Sequence, residues 1–403
     1  MNPLLAHLQP YPFERLRQLL TGVTPPANRS PISLGIGEPK HATPEFIKTA
    51  LIQSLDTALS GYPATIGELR MREACAQWLK RRYSVGINAA TQILPVNGSR
   101  EALFSLAQAV LDPTQTGARV ISPNPFYQIY EGATLLGGAE PFYVANAPED
   151  DFAADWDSVP DSVWAKTQLV FVCSPGNPTG KVMPLAEWKK LFELSEKYGF
   201  VIASDECYSE IYFRDEPPLG GLEAASQLGY KEFKRLISFT SLSKRSNVPG
   251  LRSGFVAGDA AIIKDFLLYR TYHGCAMSGV VQAASIAAWN DEAHVVENRN
   301  MYRTKFAQVT PVLAEVLDVK LPDASFYLWA GVPAAWNNSD TDFARELYAA
   351  ENVTVLPGSY IGRTANGKNP GQGRVRMALV AETEECLEAA QRIARFVRAG
   401  RAA

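Results

Sequence analysis

The sequence predicts an α/β fold built on a mostly parallel sheet, and three observations carry that expectation. Short β-rich runs recur at 119–122, 168–173, 200–204, 235–239 and 253–257. Between the second and third, Leu185, Trp188, Leu191, Phe192 and Leu194 within 184–198 share one face of a helix. The runs are apolar on both faces, as strands are when helices cover a sheet from either side.

In such sheets ligands bind beyond the carboxyl ends of the strands. Asn124-Pro125-Phe126-Tyr127 follows the first run, and Ser174-Pro175-Gly176-Asn177-Pro178-Thr179-Gly180 the second. Asp205-Glu206-Cys207-Tyr208 follows the third, and Ser241-Leu242-Ser243-Lys244 the fourth. Four polar motifs therefore fall on one edge of the sheet.

From residue 295 the pattern changes to long helical stretches, strand-like runs at 325–329, 353–356 and 374–379, and a last helix over 382–398. This reads as a smaller α+β domain. The expected division is a segment 1–45 that packs with the small domain, a large domain 46–294 and the small domain 295–403. The Gly-rich loop 357–373 reads as mobile.

With 403 residues, 46% hydrophobic and 20% charged, the chain can bury a large core. A net charge of -3 without a basic stripe argues against nucleic acid or an anionic membrane as partner. The N-terminus lacks the pattern of a signal peptide, and no apolar run is long enough to span a bilayer. Cys75, Cys173, Cys207, Cys275 and Cys386 are scattered and odd in number, which suits reduced thiols in the cytoplasm. The four histidines are too dispersed to suggest a metal site.

The richest chemistry lies at 240–252. Lys244 stands between hydroxyls and an arginine, and a lysine amine can bond covalently to an aldehyde cofactor while Ser241, Ser243 and Arg252 hold a phosphate. Those are the needs of pyridoxal phosphate. A polar turn is the plain alternative for that run alone. Asp205 would face the cofactor's ring nitrogen and keep it protonated, so that the ring absorbs electrons; alone, it opens a turn. Tyr208 could donate to the ring oxygen, or be a half-buried core tyrosine. Asn177 can reach the same oxygen and a substrate carboxylate, although Asn-Pro-Thr-Gly is also good turn chemistry.

Asn97-Gly98-Ser99-Arg100 precedes a helical run at 102–110. Gly98 would let the backbone approach an anion, with the amides of Ser99 and Arg100 opening the helix toward a phosphate. Tyr127 or Phe126 could stack on the cofactor ring, and the Tyr62 hydroxyl could add to a phosphate site. Arg376 has the planar fork that grips a carboxylate through two parallel bonds, with Arg374 as a neighbouring decoy.

Taken in order, these residues resemble the class I and II aminotransferases, pyridoxal-phosphate enzymes of fold type I. The match runs from Ile36-Gly37-Glu38-Pro39 through Tyr62, Gly98-Ser99-Arg100, Asn177-Pro178-Thr179-Gly180, Asp205 and Tyr208 to Lys244, Arg252 and Arg376. The resemblance implies a seven-stranded large-domain sheet and a homodimer with shared active sites, Tyr62 reaching the phosphate of the neighbouring subunit. It also implies Lys244 as both covalent anchor and proton shuttle, Gly37 in a loop that closes over substrate, and Arg376 on the α-carboxylate. Residues 2–4, 7–16, 36–44, 356–360 and 369–379 are similar to the N-succinyldiaminopimelate aminotransferases of proteobacteria.

That finer resemblance implies amino transfer between N-succinyl-L,L-diaminopimelate and 2-oxoglutarate, in lysine biosynthesis. Aspartate-, aromatic- or N-acetylornithine-type aminotransferases and a pyridoxal-phosphate lyase share the scaffold. A non-catalytic regulator that binds the cofactor is a more distant alternative. For the distal part of the substrate Arg17, Lys40, Arg245 and Arg363 are all open as cations.

Overall fold

The computed structural model describes residues 1–401, whose twelve strands fall into three sheets. The shortest sheet is a parallel pair, β1 (Ile32–Ser33) with β10 (Val353–Thr354), which fastens the N-terminal segment to the far end of the chain. The central sheet holds β2 (Ile93–Val96), β3 (Arg119–Asn124), β4 (Glu140–Ala145), β5 (Thr167–Cys173), β6 (Val201–Asp205), β7 (Leu236–Ser241) and β8 (Gly254–Gly258). Its spatial order is β2-β8-β7-β6-β5-β3-β4. Only β8 runs against its neighbours, so the carboxyl ends of the other six share one edge.

Alternation along β5 shows why the sheet is buried twice over. Val170 and Val172 point into a core with Trp78, Trp188 and Trp289, whereas Leu169 and Phe171 join Leu103, Tyr130 and Phe239 on the other face. All four are almost wholly withdrawn from water, each contributing about 1.5–3 kcal/mol of transfer free energy.

The five runs read from the sequence appear as β3, β5, β6, β7 and β8, with ends shifted by at most two residues. Periodicity does not mark β2 and β4. Both are edge strands, and each contains a proline, Pro95 or Pro141, which an edge tolerates because it needs no donor there.

The third sheet, in order β11-β12-β9, is antiparallel and comprises β9 (Tyr327–Gly331), β11 (Leu356–Pro357) and β12 (Arg374–Ala378). It packs with helices Ala293–Ala314 and Thr383–Ala399 around Phe306, Leu313, Phe343 and Ile393. Ile32 and Leu34 are buried in the same core. The stretch 353–356, which reads as one strand, is divided between two sheets at Val355.

The loop 357–373 departs from its expected mobility. Phe126 N donates to Ile361 O (3.0 Å), Asp340 accepts from Ser359 N (2.8 Å), and the Arg363 guanidinium grips Glu131 through both oxygens (2.8 and 2.6 Å). Its glycines admit close backbone packing: a Cβ on Gly358 or Gly371 would strike the other's carbonyl oxygen.

No helix among the described residues is long and apolar enough to cross a membrane.

Candidate active site

A cavity of about 570 Å³ opens at the carboxyl edge of the central sheet, against the core of the β11-β12-β9 sheet. Register places Cys173 beside Asp205 and Asp205 beside Phe239, so the segments leaving β5, β6 and β7 emerge side by side. Gly37, Ser99, Arg100, Tyr127, Asn177, Asp205, Tyr208, Ser241, Ser243, Lys244, Arg252 and Arg376 line this cavity, whereas Tyr62 and Gly98 do not. Phe126 turns instead into the core, stacked on Tyr143 at 5.2 Å, which leaves Tyr127 as the aromatic of that pair at the site.

Asp205 ends β6 and is 4% exposed. Tyr130 donates to its Oδ2 at 2.7 Å and the Cys207 amide to Oδ1 at 3.3 Å. Burial pushes the carboxyl pKa up, while these donors and the charge of Lys244 pull it back. A buried carboxylate held this way is suited to pair with a cationic ring nitrogen.

Lys244 sits in the single turn Leu242–Arg245 at the end of β7, and its Nζ donates to Gly37 O at 2.9 Å. Burial lowers its pKa to about 8, helped by the cationic Arg376 and Arg252, so a substantial neutral fraction exists near neutrality. Tyr208 lies with its hydroxyl 3.2 Å from that of Tyr327, and burial raises its pKa so that it keeps its proton. A Cβ on Gly37 would collide with the Tyr327 hydroxyl, so only glycine permits this approach.

An anion cradle forms where β2 meets the helix Ser99–Val110. Gly98, the N-cap, has φ 85° and ψ 156°, and a Cβ there would collide with the Arg252 guanidinium. Arg252, itself left-handed at φ 54°, donates to Pro249 O at 2.9 Å. Ser241 Oγ lies 3.0 Å from Ser243 Oγ on the same side of the cavity. Amides at a helix start, two hydroxyls and a guanidinium form a phosphate-binding set. The cradle with the Asp205 carboxylate and the Lys244 amine fits pyridoxal phosphate.

Arg376 projects from β12 and is 5% exposed. Nη1 donates to Asn177 Oδ1 and Nη2 to Gly35 O, each at 3.0 Å, while buried Nε has no partner. Such an unpartnered donor is costly unless a ligand completes it. Arg374, two residues away on the same strand, is engaged by Asp318 at 2.6 Å and Trp329 O.

The outer end of the cavity differs from expectation. Arg100, read as a phosphate residue, directs its guanidinium to Tyr127 Oη (2.6 Å) and Tyr11 Oη (3.2 Å), and no carboxylate pairs with it among the described residues. The four cations left open for the distal part of the substrate are committed elsewhere. Arg245 is buried against Glu292 at 2.8 Å, Arg363 binds Glu131, Lys40 lies 3.4 Å from Glu385, and Arg17 pairs with Glu14 at the surface.

Tyr62 is fully exposed and stands outside this cavity. Tyr130, Tyr11 and Tyr327 escaped the sequence reading. Tyr130 follows Tyr127 by three residues, a helical spacing that was a usable signal. Away from the cavity, ligand atoms of Glu101, His273 and Cys275 come within 4.8 Å of one another, but Glu101 is already bound by Arg270 at 2.5 Å.

The family model for aminotransferase class I and II matches residues 29–393. LL-diaminopimelate aminotransferase of Nitratidesulfovibrio vulgaris is 32% identical over 394 residues, covering 97% of each chain. The crystal structure of an aminotransferase from Neisseria meningitidis is 55% identical with a TM-score of 0.95, covering 99% of this chain and 100% of that one. A structure described as a probable N-succinyldiaminopimelate aminotransferase of Thermus thermophilus is 26% identical with a TM-score of 0.83, covering 96% and 100%.

Proposed function

Since the chain belongs to the class I and II aminotransferases, a pyridoxal-phosphate-dependent family, we propose that it transfers the amino group of N-succinyl-L,L-diaminopimelate to 2-oxoglutarate, in lysine biosynthesis in the cytoplasm. When bound, pyridoxal phosphate supplies an aldehyde that takes up the amino group and a ring that withdraws electrons from the adjacent carbon. The chain's residues do the rest.

In this reading Ser99, Ser241, Ser243, Arg252 and the cradle at Gly98 hold the phosphate, and Tyr127 lies along the ring. Asp205 pairs with the ring nitrogen; Tyr208 and Asn177 donate to the ring oxygen. Lys244 Nζ anchors the cofactor between turnovers and moves the proton of the substrate α-carbon. Arg376, with Asn177 already on its Nη1, takes the α-carboxylate and so aims that carbon at Lys244.

The charge of the cavity carries the choice of donor. Three arginines, Arg100, Arg252 and Arg376, line it against only two carboxylates, Glu38 and Asp205. Arg100 at the outer end is braced by two tyrosines and matches a second carboxylate. A succinylated distal amine brings a carboxylate and no positive charge, whereas the free ammonium of unmodified diaminopimelate would meet Arg100 unfavourably. The LL-diaminopimelate aminotransferase name of the relatives at 32% identity favours the unmodified donor as second reading.

The cofactor-loaded enzyme, mixed with single donors and no keto acid, separates the two by the absorbance change of its cofactor. The succinylated donor should react fastest, ahead of LL-diaminopimelate, N-acetylornithine, glutamate and aspartate. Faster reaction with unmodified LL-diaminopimelate or aspartate would replace this substrate while leaving the aminotransferase in place.

A homodimer belongs to the same proposal. Leu59, Tyr62, Leu268 and Tyr272 are each exposed apolar or aromatic side chains that a second copy would cover, bringing Tyr62 to its partner's phosphate site. We also retain the division into 1–45, 46–294 and 295–403.

A further inference from the structure

Lys244 is tied at both ends of its residue to one N-terminal loop. Its Nζ donates to Gly37 O at 2.9 Å. Its backbone carbonyl accepts from Asn298 Nδ2 at 3.2 Å, and the next carbonyl, of Arg245, from the same nitrogen at 3.4 Å. These carbonyls end the turn Leu242–Arg245 and have no partner within it, so Asn298 caps the turn that carries the amine.

The other side of Asn298 returns to the loop. Oδ1 accepts from Asn247 Nδ2 at 3.0 Å and faces His41 Nδ1 at 3.1 Å. His41 Nε2 lies 2.9 Å from Lys305 Nζ, which also donates to Leu379 O at 3.0 Å. A lysine ammonium only donates, so beside it Nε2 accepts and the proton of the imidazole sits on Nδ1, pointing at Asn298. His41, Asn298 and Lys305 are 6%, 2% and 0% exposed.

A closed circuit results: Gly37 O to Lys244 Nζ, Lys244 O to Asn298, Asn298 to His41, and along the backbone to Gly37. Neither Asn298 nor His41 lines the cavity. We propose that Asn298 and His41 are positioning residues that set the aim of the Lys244 amine and the seat of the Gly37 loop together. The proposal rests on the reading of Lys244 as the reacting amine.

The two faces of His41 can be dissected because an asparagine amide nitrogen occupies nearly the place of Nδ1, and a glutamine oxygen that of Nε2. H41N keeps the donor to Asn298 and drops the acceptor of Lys305; H41Q does the reverse. N298D keeps Oδ1 but turns an oxygen toward the Lys244 and Arg245 carbonyls. In the loaded enzyme kcat should fall by about tenfold or more in H41Q and N298D, with KM for the donor within about threefold of wild type; H41N should stay within about threefold on kcat. The pH midpoint of the cofactor's absorbance, read without substrate, should move by about half a unit in H41Q and N298D and stay in H41N.

A role confined to burying Lys305 predicts the opposite order, with H41N the worse and the loss following thermal stability. Any outcome in which H41Q does not fall below H41N in kcat overturns the proposal, and the histidine pair decides even should N298D fail to fold. K244A, assayed alongside, reports separately on the underlying reading: near-normal turnover there would remove Lys244 as the amine whatever the histidine variants do.

Discussion

Two titratable groups carry most of the chemistry, and their environments push them in ways that suit it. Burial lowers the Lys244 ammonium to about 8 from its ordinary value of 10.5, with Arg376 and Arg252 adding repulsion. A depressed ammonium pKa means that the neutral, bond-forming amine appears at lower pH. Capture of pyridoxal phosphate by cofactor-free protein should therefore speed up as pH rises and level off above about 8. R376A removes one repelling charge and should move that midpoint upward; a downward shift would contradict the electrostatic cause. Asp205 acts through its charge, so D205N, close in shape, should lower kcat by about 100-fold while circular dichroism and melting stay near wild type. A loss below about threefold would remove it as the partner of the ring nitrogen.

At the scale of an element, the helix Ser99–Val110 works only because its N-cap is Gly98. The observed φ 85° and ψ 156° lie where essentially only glycine rests, at a cost of order 1–3 kcal/mol for other residues. G98A adds to that strain a collision with Arg252. It should weaken pyridoxal-phosphate binding by about tenfold or more, measured by fluorescence titration of cofactor-free protein, with a smaller effect on KM for the donor. Affinity equal to wild type would take the cradle out of phosphate binding.

The whole molecule poses the question of a shared site. Tyr62 is exposed in one chain, while Lys244 lies in the cavity. Y62A and K244A should each be poor enzymes, yet co-refolding them should recover about a quarter of wild-type activity, because half the dimers are mixed and each mixed dimer holds one intact site. No recovery in mixed dimers verified by mass would place Tyr62 outside its partner's site.

Much of this was readable before any coordinates. The runs that became β3, β5, β6, β7 and β8 are predominantly apolar and central, and burial on both faces favours apolar residues, so their pattern is plain. Asp205, Lys244 and Asn177 announced themselves by sitting just past such runs, where a parallel sheet gathers its ligands. Composition alone set the net charge and the size of the core. The edge strands β2 and β4 were harder to read, because edges tolerate prolines that blur the signal.

What folding alone decided was partnership between residues far apart in the chain. Sequence chemistry marks Arg100 as a cation near a helix start, but only tertiary packing pairs it with Tyr11 and Tyr127. Arg374 and Arg376 are equal in sequence; Asp318 occupies one and leaves the other to the cavity. Nothing in the sequence ties Asn298 or His41 to Lys244; they reach it because the helix Ala293–Ala314 and the N-terminal loop close on the same turn. Local sequence sets period and turn, since those depend on neighbours along the chain. Which charge is free and which is spoken for depends on neighbours in space.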